Sequence, residues 1–139
     1  MFDFKFDWNN DFVTGVEAID EQHKELLRIG RDIEQLLIIQ CIGVEQESLL
    51  NIIRELREYV SYHFYEEEQI MLKYGYSKFE EHKKEHEKFN KLIQNIDIPK
   101  LGTNPYEVLK VVKSEIQDYI FAHMLITDKQ MVKELNKGL

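Results

Sequence analysis

From Leu49 to Ile70 the chain places Leu49, Ile53, Leu56, Val60, His63, Glu67 and Ile70 at alternating steps of four and three residues. Steps of that kind keep one side of an α-helix facing a core turn after turn. A half-buried strand would need alternation by two, which this stretch lacks. Three more segments repeat the helical stepping, and only two prolines and six glycines punctuate the 139 residues. The pattern predicts an all-α chain, an up-down-up-down four-helix bundle with short connections.

Residues 1–18 do not follow the stepping. WNNDFVTG is turn-rich, so 1–18 is expected to be an irregular N-terminal arm that packs phenylalanines and Trp8 on a bundle of residues 19–137, in a single domain covering 1–139. The first helix is expected from Asp20, as N-cap, to about Gln40. Its inner line is Ile19, His23, Leu26, Gly30 or Leu27, Ile33 and Leu37. The second runs from about Glu45 to Lys73 and breaks at Gly75. The third runs from Ser77 to Gln94 with Phe79, His82, His86, Phe89 and Ile93 in line. IDIPKLGTNP holds both prolines and reads as a loop. The fourth runs from Pro105 to about Asn136 along Val108, Val112, Ile116 or Glu115, Tyr119, His123 and Ile126.

A formal charge of −8, a pI near 5.1 and no basic run argue against binding a phosphate backbone. Cys41 is the lone cysteine, which rules out an intrachain disulfide and a thiolate metal site. It lies near a helix connection and is expected to take no part in the chemistry. The first residues lack a basic-then-apolar pattern, and the run LLIIQCI is too short to span a bilayer. A cytoplasmic monomer without nucleic-acid or membrane partners is the expectation.

All five histidines fall on the inward lines. One histidine on an apolar face is commonly a hydrogen-bonded core residue. Five landing there at random, on a third of the helix surface, has a chance of about one in 250. Each buried imidazole nitrogen needs a partner, and a metal ion would satisfy many at once. His82 and His86, four apart, can bind one ion from a single face. His63 and Glu67 repeat the spacing with an imidazole and a carboxylate, while Glu66 and Glu68 are expected to point away. Imidazole with carboxylate suits iron, zinc or manganese. A donor set this large exceeds one ion and fits two that share carboxylates.

WNNDFVTGVEAIDEQH, HFYEEEQIMLKYGY, HKKEH and HMLITD together make the chain resemble the hemerythrins, in particular the single-domain bacterial ones. The resemblance implies two Fe ions with a bridging oxo or hydroxo group. It puts His82, His86 and His123 on one iron and His23 and His63 on the other, with Glu67 and Asp128 bridging. The second iron keeps an open position, where O2 or a small anion binds, for oxygen storage, delivery or scavenging. An oxygen or redox sensor and a di-iron peroxidase or oxidase are the alternatives at the same site, a carrier being favoured over an enzyme. Tyr119 stands where the family commonly has Trp, and Met124 where it commonly has Ile. Asp128 follows His123 by five residues, about 140° round an ideal helix, so a locally widened helix is expected between them.

Overall fold

In the computed structural model, which describes residues 5–137, the chain is built from helices and has no strand among the described residues. A short 3-10 turn, Asn10–Phe12, precedes α1 (Glu17–Ile38), α2 (Gln46–Tyr74) and α3 (Phe79–Gln94). A six-residue helix, α4 (Ile98–Thr103), leads into α5 (Pro105–Tyr119). The last helix continues through a π-helical segment, Ile120–Thr127, into α6 (Asp128–Lys137). The long helices close an up-down-up-down ring in which α1 touches α2 and α5, and α3 touches the same two. No helix among the described residues is long and apolar enough to cross a membrane.

Local chemistry explains most of the boundaries. Gly75 ends α2 in the left-handed region at φ +66°, a conformation that costs glycine little, and its N–H returns to the last turn. Pro105 opens α5 behind Asn104, whose side chain accepts from the Glu107 N–H. α1 begins at Glu17, three residues before the expected Asp20 cap. Asp20 instead reaches back from inside the first turn. It accepts from the Thr14 N–H at 2.9 Å, the Thr14 hydroxyl at 2.7 Å and the Gly15 N–H at 3.3 Å. The expected loop at 96–105 contains α4, capped by the Asp97 carboxylate on the Lys100 N–H. Its proline falls in the first turn, where no backbone donor is lost.

The core is one apolar cluster of residues from α1, α2, α3 and α5, with Leu26, Leu56, Val60, Ile93 and Ile116 fully buried. Ile116, not Glu115, fills the inner line of α5. A smaller cluster of Ile19, Met71, Tyr76, Met131 and Val132 closes the other end. The polar seam lies where these two clusters leave off. Cys41 is buried at the α1–α2 connection, so its thiol is no surface handle.

The arm packs as expected over its described part; residues 1–4 lie outside the described residues. Trp8 packs against the core and stacks on Phe12 at 5.6 Å, while Phe6 and Phe12 are buried. Gly30 on α1 makes room for Phe6: a Cβ there would stand 2.6 Å from Phe6 Cε1. The arm cannot easily retreat, because the Arg31 guanidinium donates to the Phe6 carbonyl at 2.7 Å. Gly30→Ala should therefore lower stability by about 1–3 kcal/mol, against the ordinary helix gain of alanine over glycine. Chemical denaturation of Gly30→Ala, Phe6→Ala and the double variant checks it; fully additive losses would contradict the contact.

Candidate metal centre

Seven polar side chains are buried to 1% exposure or less: His23, His63, Glu67, His82, His86, His123 and Asp128. α1 supplies His23, α2 supplies His63 and Glu67, α3 supplies His82 and His86, the π segment His123, and α6 begins with Asp128. Every sequence-predicted site residue is thus brought to one place. Glu67, His82, His86, His123 and Asp128 each offer a ligand atom within 4.8 Å of the others, and so do His23, His63, Glu67 and Asp128. Either group could hold a metal ion, and the two share both carboxylates.

Asp128 reaches the seam because the helix widens. The Asp128 N–H donates to the His123 carbonyl, an i→i+5 bond, so the two side chains stack as i,i+4 pairs do in an α-helix. The expectation of a widened helix holds. The same change of register turns Ile126 to solvent, where it is 55% exposed, contrary to its expected inward place. Downstream, Met131 and Val132 still face the core.

The oxygens of each carboxylate divide between the two groups. Glu67 Oε1 lies 2.5 Å from His82 Nε2, 3.1 Å from His86 Nε2 and 3.6 Å from His123 Nε2, while Oε2 lies 3.3 Å from His63 Nε2. Asp128 Oδ1 lies 3.0 Å from His82 Nε2 and 2.9 Å from His123 Nε2, while Oδ2 lies 2.8 Å from His23 Nε2. Donors about 2.1 Å from one ion and at right angles stand about 3 Å apart, so these spacings suit coordination. His86 Nε2 and His123 Nε2 are 3.2 Å apart, close for two lone pairs with nothing between them. Several of these atoms, including His23 Nε2, His63 Nε2, Glu67 Oε2 and both Asp128 oxygens, have no hydrogen-bond partner among the described residues. Buried polar atoms left in that state are costly, and a cation among them removes the cost. The nitrogen and oxygen donors therefore fit a borderline divalent metal.

Protonation follows the same crowding. Burial pushes the His63 imidazole down to about 4, so it is neutral with a free lone pair. At His82 burial also opposes charge, yet the Asp128 and Glu67 carboxylates at its Nε2 prevail and lift it to about 9. Burial works against the Glu67 carboxylate, but the hydrogen bonds from His123, His82 and His86 hold it well below the usual range. Without an ion the cluster is thus a set of imidazole–carboxylate pairs that keep protons a metal would displace.

Three imidazoles are fixed from behind. His63 Nδ1 donates to Gln22, His86 Nδ1 to Glu68 at 3.2 Å, and His123 Nδ1 to Glu85 at 3.2 Å. Thr127 in turn donates its hydroxyl to Glu85 at 2.9 Å. Such bonds set the tautomer and aim Nε2 inward. Aromatic rings hold the imidazole planes: Phe64 stacks on His86 at 4.0 Å, Tyr59 on His63 at 5.2 Å and Tyr119 on His123 at 4.7 Å. Sequence reasoning missed Gln22, Glu68, Glu85 and Tyr59, and it wrongly aimed Glu68 away. The available signal was adjacency, since Gln22, Glu68 and Glu85 each sit next to a seam residue.

The model of the Hemerythrin HHE cation binding domain matches residues 14–135. A bacteriohemerythrin of Clostridium acetobutylicum is 28% identical over 127 residues, which is 91% of this chain and 98% of that protein. A bacteriohemerythrin of Campylobacter jejuni is 32% identical over 119 residues, covering 84% and 85% of the two chains. One from Pseudomonas paraeruginosa is 36% identical over 85 residues, and the match spans about half, 51%, of that longer relative. Likeness that runs through the bundle and all four segments bearing the buried donors carries one conclusion: the chain belongs to the hemerythrin family.

Proposed function

We propose that the chain is a non-haem di-iron protein that binds O2 reversibly, for storage, delivery or scavenging. His82, His86 and His123 would hold one iron and His23 and His63 the other, with Glu67 and Asp128 shared. The observation that carries this reading is the division of each carboxylate: one oxygen toward the three-histidine group and the other toward the two-histidine group. One shared carboxylate between unequal imidazole sets could be accidental packing; two doing so from different helices is what a pair of ions requires.

When bound, the two irons would supply the two electrons that O2 takes up and would recover them on its release. The protein's part is placement and exclusion. Three imidazoles and two carboxylate oxygens leave less room at one position than two imidazoles and two carboxylate oxygens leave at the other. The exchangeable place therefore belongs on the His23–His63 side. Gln22, Glu68 and Glu85 hold the rings so that Nε2 cannot swing away. Phe64, Phe89 and Met124, all buried, keep water from the donors and from a captured ligand. No side chain in the cluster is left over as a general base, since each polar group is committed to a donor role.

Anaerobic loading with Fe(II) should give about two irons per chain and raise the thermal midpoint, by about 2.7 kcal/mol of stabilisation for each site at a hundredfold excess over Kd. The loaded protein should colour under O2 and bleach under argon. Asp128→Ala, which removes one oxygen from each position, should hold markedly less iron at the same exposure. One iron per chain in the parent, or undiminished loading in Asp128→Ala, would sink the two-ion reading.

Loading should also release protons. His82 is charged below about 9 in the metal-free chain, and a ligand nitrogen must be deprotonated. Apparent affinity should thus rise with pH between 6 and about 9. Indicator-dye titration in weak buffer measures the protons released; a pH-independent affinity from 6 to 9 would contradict the assignment of His82.

A further inference from the structure

Two hydroxyls beside the cluster make no hydrogen bond to any described residue. The phenol oxygens of Tyr59 and Tyr119 are buried without a hydrogen-bond partner among the described residues, in residues only 8% and 6% exposed. Burying an unpaired hydroxyl is unfavourable, and phenylalanine would fill either place without that cost. A hydroxyl kept in such a position points to an acceptor that is not part of the chain.

Their location says which acceptor. Tyr59 lies one turn before His63 on α2, and Tyr119 one turn before His123 at the end of α5. α2 and α5 run in the same direction, so the phenols share one layer directly against the donor cluster. Tyr59 stacks on His63, a member of the two-histidine group. Tyr119 stacks on His123, whose Nε2 lies 2.9 Å from Asp128 Oδ1 and 3.6 Å from Glu67 Oε1. The neighbouring surfaces of that layer are apolar: Phe89 stacks on Tyr119 at 4.1 Å, and Phe64 lies 5.9 Å away. In this layer Phe64 and Phe89 have no proton to offer and the two phenols do.

We infer that Tyr59 and Tyr119 are paired hydrogen-bond donors to a small ligand held at the cluster, of the class whose outer atom carries negative charge. The inference rests on the di-iron reading above and assigns to these residues the control of how tightly such a ligand is kept. They position a bound ligand and bind no metal.

The test uses the full iron-loaded chain with azide as the probe. Tyr59→Phe and Tyr119→Phe keep the ring stacking and remove only the hydroxyl. Each should weaken azide binding by about tenfold, the worth of one hydrogen bond, with the double variant weaker than either. Ultraviolet resonance Raman spectra of the parent should show tyrosine modes shifting when azide is added, with no shift in the double variant. Thermal midpoints without azide should equal or exceed the parent's, since neither hydroxyl bonds to a described residue. Azide affinity within twofold of the parent in both single variants at full iron content would overturn the inference. So would a parent that holds iron but no azide, or variants whose midpoints fall by several degrees. A parent that takes up no iron defeats the di-iron reading and this inference together, whereas unchanged variants of a loaded parent defeat this inference alone.

Discussion

The interior of this bundle depends on seven buried polar side chains tolerating one another. Five imidazoles and two carboxylates have left water for a space enclosed by apolar helices. Charges buried in that way are unfavourable unless each has an opposite partner within reach. The arrangement is balanced by direction: every oxygen of Glu67 and Asp128 meets an imidazole nitrogen, and no two carboxylates are left facing each other alone. Replacing one member removes a partner from several others, because the network is shared across all four long helices.

The helices can meet this demand only if their registers agree. On α2 and α3 the i,i+4 spacing aims paired donors to one side without distortion. The last helix cannot do so by ordinary geometry, and it spends a wide turn to bring His123 and Asp128 into line. That turn also preserves the packing of Met131 and Val132 beyond it. Polar and apolar requirements thus settle on the same backbone.

Much of this was legible in the chain itself. Stepping by three and four gave four helices and the inward position of every histidine, and Gly75 and Pro105 marked an end and a start. The positions that resisted reading are those decided between helices. Asp20 looked like a cap but serves the turn before it. Pro99 suggested a loop but sits where a helix begins. Ile126 followed the stepping, yet the wide turn expels it. Glu68 belongs to a run of three glutamates on α2, and only the approach of α3 shows that it supports His86. No pattern along a single helix carries that information.

The anchors behind the imidazoles are not alike. His63 leans on the neutral amide of Gln22, whereas His86 and His123 lean on the carboxylates of Glu68 and Glu85. An imidazole whose far N–H rests on an anion gives up electron density more readily than one resting on an amide. A gradient in donor strength toward a bound ion therefore runs across the cluster although its rings are chemically identical. Glu85 is 41% exposed in its side chain, so part of that gradient is governed from the water side of the molecule.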